Sequence, residues 1–197
     1  MFTGLVEETG TVLDCTNNSD GRELIITAEK TIKDLKVNDS ICCSGICLTV
    51  TDIEKNSFKV FLVKETLDRT TAKYWEKGTI INLERSLLPT TRIGGHFVQG
   101  HVDTISKIID ISAESDSGIW EFELNKKIDR YIVEKGSITL DGISLTIANR
   151  NKNDFSVALI PHTMFVTNLN QKNIGDFVNV EVDIMAKYIE SFIKKIS

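Results

Sequence analysis

The sequence predicts an all-β protein: two homologous antiparallel barrels of about six short strands each, followed by a C-terminal amphipathic helix. Three observations predict it. The chain repeats itself, each copy alternates apolar and polar residues with a period of two, and a tail of helical spacing follows with no counterpart in the first copy.

The repeat carries most weight. Ile41-Cys-Cys-Ser-Gly-Ile-Cys-Leu-Thr-Val50 returns as Ile138-Thr-Leu-Asp-Gly-Ile-Ser-Leu-Thr-Ile147, a shift of 97 residues (138 − 41). The same shift pairs Thr66 with Thr163, Thr70 with Thr167, Gly78 with Gly175 and Asn82 with Asn179. Gly4 and Val6 match Gly100 and Val102 at a shift of 96, so one residue was gained or lost in between. Common strand usage of Val, Ile and Thr would produce similar runs, but it would not also align Gly and Asn. The halves are 1–92 and 93–184.

Within each half the pattern is that of short strands. Leu24, Ile26 and Ala28 alternate with outward residues, and Phe58, Val60 and Leu62 repeat that period. Asn17-Asn-Ser-Asp-Gly21 and Glu54-Lys-Asn-Ser57 are turn material. A short helical patch is expected around Thr70 to Trp75, ended by Gly78, and then a last strand from Thr79 to Glu84. Strands this short fit a closed barrel, which hides their edges, better than a sandwich. From Met185 the apolar residues Met185, Tyr188, Ile189, Phe192, Ile193 and Ile196 recur three and four apart, with Lys187, Glu190, Lys194 and Lys195 opposite. A helix of about 12 residues is not stable alone. Residues 185–197 are therefore expected either to dock on their own barrel or to pack against the tails of other subunits.

A chain of 197 residues with 41% hydrophobic content can build real cores. Its 23 Lys plus Arg against 28 Asp plus Glu, dispersed along the chain, argue against binding a nucleic-acid backbone. The longest apolar stretches fall far short of the roughly 20 residues that cross a bilayer, and no basic segment followed by an apolar one opens the chain. The expectation is a cytoplasmic protein with no nucleic-acid or membrane partner. Of Cys15, Cys42, Cys43 and Cys47, the last three fall within six positions. Zinc would need His96, His101 or His162 to fold over them. Free thiols acting as small hydrophobes suit the spacing better, because Cys42 and Cys43 point to opposite faces of a strand. They also suit a reducing compartment. No metal site is expected.

Met1-Phe-Thr-Gly-Leu-Val6, Gly94-Gly-His-Phe-Val-Gln-Gly-His-Val-Asp103, and the paired Gly45-Ile-Cys-Leu-Thr49 and Gly142-Ile-Ser-Leu-Thr146 resemble the riboflavin synthase alpha chains. The resemblance covers essentially the whole chain. It implies two six-stranded Greek-key barrels, 1–92 and 93–184, each with a lumazine pocket, and a helix, 185–197, that assembles a homotrimer. It further implies a site between the N-terminal barrel of one subunit and the C-terminal barrel of its neighbour. Two molecules of 6,7-dimethyl-8-ribityllumazine meet there, one leaving as riboflavin and the other as 5-amino-6-ribitylamino-uracil. No cofactor or metal enters that scheme, and association with a lumazine synthase shell is a further implied partnership. A duplicated binding fold suits such chemistry, since similar pockets bring two identical rings together while divergence makes their roles unequal.

The resemblance places the pocket on three segments per half. In half one these are Gly4, Leu5 and Val6; Cys47, Leu48 and Thr49; and Phe61, Leu62, Val63, Lys64, Glu65 and Thr66. In half two they are Gly100, His101 and Val102; Lys135 with Ser144, Leu145 and Thr146; and Ile160, Pro161, His162, Thr163, Met164 and Phe165. Glycines let backbone approach a flat ring. Hydroxyls of Thr49, Thr66, Ser144, Thr146 and Thr163 can meet ring and ribityl polar atoms, although Thr is also simply a good strand residue.

The reaction that the resemblance implies begins with loss of a proton from the C7 methyl group of one lumazine. His101 is expected to transfer it, because an imidazole moves protons both ways near neutrality. Thr146 and Ser144 are expected to hold or polarise the second ring. Cys47 either adds to a ring carbon as a thiolate or lines the wall. Asp141, opposite Ser44 in the repeat, is expected to orient a donor. Phe2 and Thr3 are expected against the pocket, so that an N-terminal extension would be poorly tolerated. The chain departs from the family's second-half Pro-Glu-Thr-Leu at Pro161-His162-Thr163-Met164, which puts a ribityl contact in question. Two other readings remain open. A non-catalytic lumazine-binding relative, like the antenna proteins of luminous bacteria, would have altered second-half residues. A barrel module of oligosaccharide-binding type would show a basic or aromatic-rich face, and aromatics are only 7%.

Overall fold

A computed structural model describes residues 1–114 and 117–196. Of the tail, Ser197 and the side chain of Ile196 lie outside the described residues. Strands β1 (Glu8–Asn18), β2 (Gly21–Thr27), β3 (Ser40–Cys43), β4 (Ile46–Glu54), β5 (Ser57–Val63) and β6 (Ile80–Arg85) close a barrel in the order β1-β2-β5-β4-β3-β6. The second barrel contains β7 (Thr104–Glu114), β8 (Ser117–Glu123), β9 (Ser137–Leu140), β10 (Ile143–Arg150), β11 (Asp154–Leu159) and β12 (Phe177–Val182). Its ring, β10-β11-β8-β7-β12-β9, is the same cyclic order with each strand six places on.

The period of two becomes the inward face. Leu24, Ile26, Phe58, Val60 and Leu62 are all fully buried in barrel one, each side chain contributing about 1.5–3 kcal/mol by leaving water. Barrel two is built the same way around Phe122 and Phe155, whose rings stack at 5.5 Å. Irregularities repeat as well. Bulges fall after Val12 and Ile108 and after Val50 and Ile147, the same places in the two copies. The patch expected at Thr70 to Trp75 is a 3-10 turn, Thr71–Tyr74, whose N–H at Ala72 donates to the Thr70 hydroxyl; Thr167 caps Asn168–Gln171 likewise. Two short helices, α1 (Lys64–Arg69) and α2 (Pro161–Val166), were not expected. At six residues each they carry no apolar stripe, and they follow β5 and β11 directly.

The barrels meet about an approximate two-fold axis, and the repeated asparagines explain the junction. Asn82 Nδ2 donates to the Asp141 carbonyl at 2.8 Å, and its Oδ1 accepts from Asn168 N at 2.7 Å. Asn179 mirrors this, donating to the Ser44 carbonyl at 2.8 Å and accepting from Thr71 N at 2.8 Å. Each asparagine thus satisfies a hairpin turn and a 3-10 turn of the opposite barrel. No side-chain polar atom buried there is left without a partner among the described residues.

The tail forms α3 (Ile184–Ile196). Its polar side clasps barrel two: Lys187 Nζ lies 2.7 Å from Asp103, and Glu190 binds both Arg130 and the Tyr131 hydroxyl. On its other side Met185, Tyr188, Ile189 and Phe192 are all more than half exposed. Hydrogen bonds from Lys194, Tyr131 and Arg130 hold the Glu190 carboxyl at a pKa of about 2. A carboxyl depressed on folding contributes stability that is present above its ordinary pKa and lost as pH falls through the depressed one. Helix α3 is therefore expected to loosen from barrel two between about pH 4.5 and 2. Amide exchange in 184–195 followed against pH checks this, and Glu190→Gln should weaken the pH dependence, leaving the share of the Lys187–Asp103 pair.

Candidate functional site

The chain enters each barrel by crossing over the other one. Phe2, fully buried, pairs with Val98 across the two-fold axis through Phe2 N to Val98 O at 2.7 Å and Val98 N to Phe2 O at 3.1 Å. Beyond this bridge the Gly4 carbonyl accepts from Ser144 N of barrel two, and the Gly100 carbonyl accepts from Cys47 N of barrel one, both at 2.8 Å. Val6 packs on the core of barrel two and Val102 on that of barrel one. The glycines are required here: φ is +77° and +78°, and a Cβ on either would stand 2.6 Å from the Cβ of Ser144 or Cys47.

This exchanges two segments relative to the sequence grouping. Gly4, Leu5 and Val6 belong beside Ser144, Leu145 and Thr146, whereas Gly100, His101 and Val102 belong beside Cys47, Leu48 and Thr49. Repeat alignment identifies equivalent segments, but either assignment satisfies the symmetry, so it could not say which copy's groove each one fills. Within the crossing segments Val6 and Val102 turn inward, while Leu5 and His101 are exposed.

The remaining segments complete an open rim on each barrel. In barrel one Leu48 and Leu62 are buried and Phe61 and Thr66 half-buried; Thr49, Val63, Lys64 and Glu65 are exposed. In barrel two Leu145, Thr163 and Met164 are half-buried, while Thr146, Ile160, Pro161, His162 and Phe165 are exposed. Pro161 opens α2, where its missing N–H has no partner to lose. The His162 departure is local. Its counterpart Glu65 binds Arg69 on the exposed side of α1, and Val166 stands where Arg69 does, so acid and partner are lost together. Lys135 is exposed in a left-handed conformation, φ +64°, at the equivalent of Asn38.

Asp141 requires a correction. Its carboxylate accepts from Asn179 N at 2.7 Å and from Asn168 Nδ2 at 3.0 Å, with Lys172 Nζ 3.6 Å away, all within the barrel junction. Ser44 Oγ accepts from Asn82 N in the same manner. The asymmetry between Ser44 and Asp141 therefore lies in the scaffold, and this carboxylate is committed away from the Ser144 rim.

Three polar residues that the sequence did not assign to the pocket stand at the site. The imidazole of His96 lies 2.7 Å from Ser144 Oγ through Nδ1 and 3.0 Å from Thr139 Oγ1 through Nε2. Burial lowers its pKa, with the charge of Asp183 opposing, which favours the neutral ring. In the tautomer protonated on Nε2, Nδ1 can take the proton of Ser144, a pairing that activates a hydroxyl. Glu84 accepts from Thr3 N, Thr3 Oγ1 and Gly4 N, and Glu181 accepts from Gln99, Gly100 and His101 N. The two glutamates stand 97 positions apart (181 − 84), so the repeat already marked them. Of the cysteines, Cys42 and Cys43 are buried, and burial pushes both thiols well above their ordinary pKa; Cys47 alone of the cluster is partly exposed.

Two like barrels, each finishing its rim with a segment threaded from the other, define a double lumazine-binding fold, and the lumazine binding domain family matches residues 3–86 and 99–183. The chain is 41% identical to riboflavin synthase of Actinobacillus pleuropneumoniae over 99% of its own length and 91% of that protein. It is 41% identical to riboflavin synthase of Schizosaccharomyces pombe over 98% and 94%. The chain belongs to the riboflavin synthase family. Its fold also superposes on LumP complexed with riboflavin with a TM-score of 0.87, at 22% identity, covering 92% of this chain and 99% of that one.

Proposed function

We propose that the protein is a riboflavin synthase that transfers a four-carbon unit between two molecules of 6,7-dimethyl-8-ribityllumazine, releasing riboflavin and 5-amino-6-ribitylamino-uracil. The observation that carries this reading is identity above 40% to riboflavin synthases along nearly the entire chain. The geometry suits the chemistry. One rim joins the Cys47 thiol to the His101 segment, and the other joins Ser144 to His96. On this reading each rim offers its ring a nucleophilic atom and an imidazole, but not the same pair. A proton leaves the C7 methyl of one lumazine, and donors near the ring oxygens stabilise the spread charge.

The reading includes a homotrimer with its site shared between neighbours. Phe165 is 83% exposed, Ile160 59% and Val63 52%, all on the open rims, and Met185, Tyr188, Ile189 and Phe192 of α3 are more than half exposed. A single chain that leaves such apolar surface around its ligand rims lacks a cover, and another copy supplies one. Incubating the protein with the lumazine alone should produce flavin absorbance, and sedimentation should give three times the chain mass. A protein that binds the lumazine but leaves it unchanged would refute catalysis.

A further inference from the structure

Glu84 and Glu181 are almost completely buried, 5% and 3% exposed, yet neither lies within ion-pair distance of a cation among the described residues. A carboxylate withdrawn from water without a counter-ion is expensive unless hydrogen bonds replace its hydration. Here they do so entirely from one source. Glu84, on β6 of barrel one, receives Thr3 N and Oγ1 at 2.7 Å and Gly4 N at 3.0 Å. Glu181, on β12 of barrel two, receives Gln99 N at 2.7 Å, Gly100 N at 2.9 Å and His101 N at 3.1 Å.

Each segment so held runs onto the opposite barrel. The one on Glu181 delivers the Gly100 carbonyl to Cys47 N, and the one on Glu84 delivers the Gly4 carbonyl to Ser144 N. We infer that Glu181 and Glu84 are positioning residues acting across the barrels: Glu181, in barrel two, sets the geometry of the Cys47 rim, and Glu84, in barrel one, sets that of the Ser144 rim. This deepens the two-pocket reading above and rests on it for its catalytic consequence. Only a carboxylate fits the task. It offers acceptors on both oxygens to converging N–H groups, whereas an amide of the same shape turns an NH2 towards donors it cannot accept from. Aspartate, a methylene shorter, withdraws the acceptors from the segment. Burial raises the pKa of both carboxyl groups, and the hydrogen bonds from the held segment oppose that rise.

The labelling and exchange measurements read each rim separately and need no substrate. Cys47 is partly exposed and Cys42 and Cys43 are buried, so iodoacetamide labelling located by mass spectrometry reports on the Cys47 rim, with Cys15 as internal reference. Glu181→Gln should speed Cys47 labelling at least severalfold relative to Cys15 and leave Cys42 and Cys43 protected. Glu84→Gln should leave Cys47 at the wild-type rate and instead speed amide exchange at Thr3, Gly4 and Ser144. Turnover should fall about 10²-fold in both, the usual consequence of displacing reacting groups by about 1 Å. Wild-type labelling of Cys47 in Glu181→Gln, equal exposure of all the cysteines, or the same response to Glu84→Gln would overturn the inference. Should one variant not fold, the other decides alone. Failure of the wild type to make flavin would sink the proposed reaction while leaving the labelling result readable.

Discussion

Changing His101 to Gln should lower turnover by about 10²–10⁴-fold, the usual worth of a placed acid–base group, while flavin affinity stays within a few-fold of wild type. The backbone around this residue is held on both sides: Gly100 O accepts from Cys47 N, and His101 N donates to Glu181. The imidazole itself is exposed, directed away from the barrel-one core that Val102 enters. A group anchored at its root and open at its tip can reach a ring bound across the rim and return its proton to water. His96 makes the informative contrast. Its ring is half-buried and engaged by two hydroxyls, so His96→Gln should disturb Ser144 and Thr139 and lower stability by about 1–3 kcal/mol. Steady-state rates beside riboflavin titration and denaturant unfolding separate the two. If His101→Gln turned over normally, or lost turnover only because ligand no longer bound, this histidine would be part of the wall.

The sequence made the barrels legible because each core residue carries its own signal. The alternation at Leu24, Ile26, Phe58, Val60 and Leu62 needs no knowledge of partners, and turn residues mark where each run stops. Helices α1 and α2 escaped because six residues on a rim show no period. The junction was half legible. Asn82 and Asn179 stood out as repeat anchors, but an asparagine's partners lie where the other barrel places them, and only coordinates join Asn82 to Asp141 O and Asn168 N. For the same reason Asp141 read as a site acid. It precedes the Gly142-Ile-Ser144 run in sequence, and a two-residue hairpin turn sends its side chain to the junction while Ser144 faces the rim.

That turn also predicts a large stability effect of a single methyl group. Ser44-Gly45 and Asp141-Gly142 are two-residue hairpin turns with positive φ at both positions, 43° and 83° in one, 46° and 81° in the other. They abut across the two-fold axis. A Cβ at Gly142 would stand 2.7 Å from Gly45 N and 3.3 Å from Gly45 Cα, both backbone atoms that cannot rotate away. Gly142→Ala therefore incurs left-handed strain of roughly 1–2 kcal/mol and an overpacking term of roughly 1–3 kcal/mol, so about 2–5 kcal/mol in all. Gly78 supplies the internal control: φ is +94°, and a Cβ there meets nothing within 4 Å. Gly78→Ala should lose only the strain component. Urea unfolding of both variants measures the difference, and equal losses would mean that the contact between the two turns contributes nothing. A larger loss at Gly142 would place it in the contact through which the barrels hold each other, where Asn82 and Asn179 donate to the carbonyls of Asp141 and Ser44.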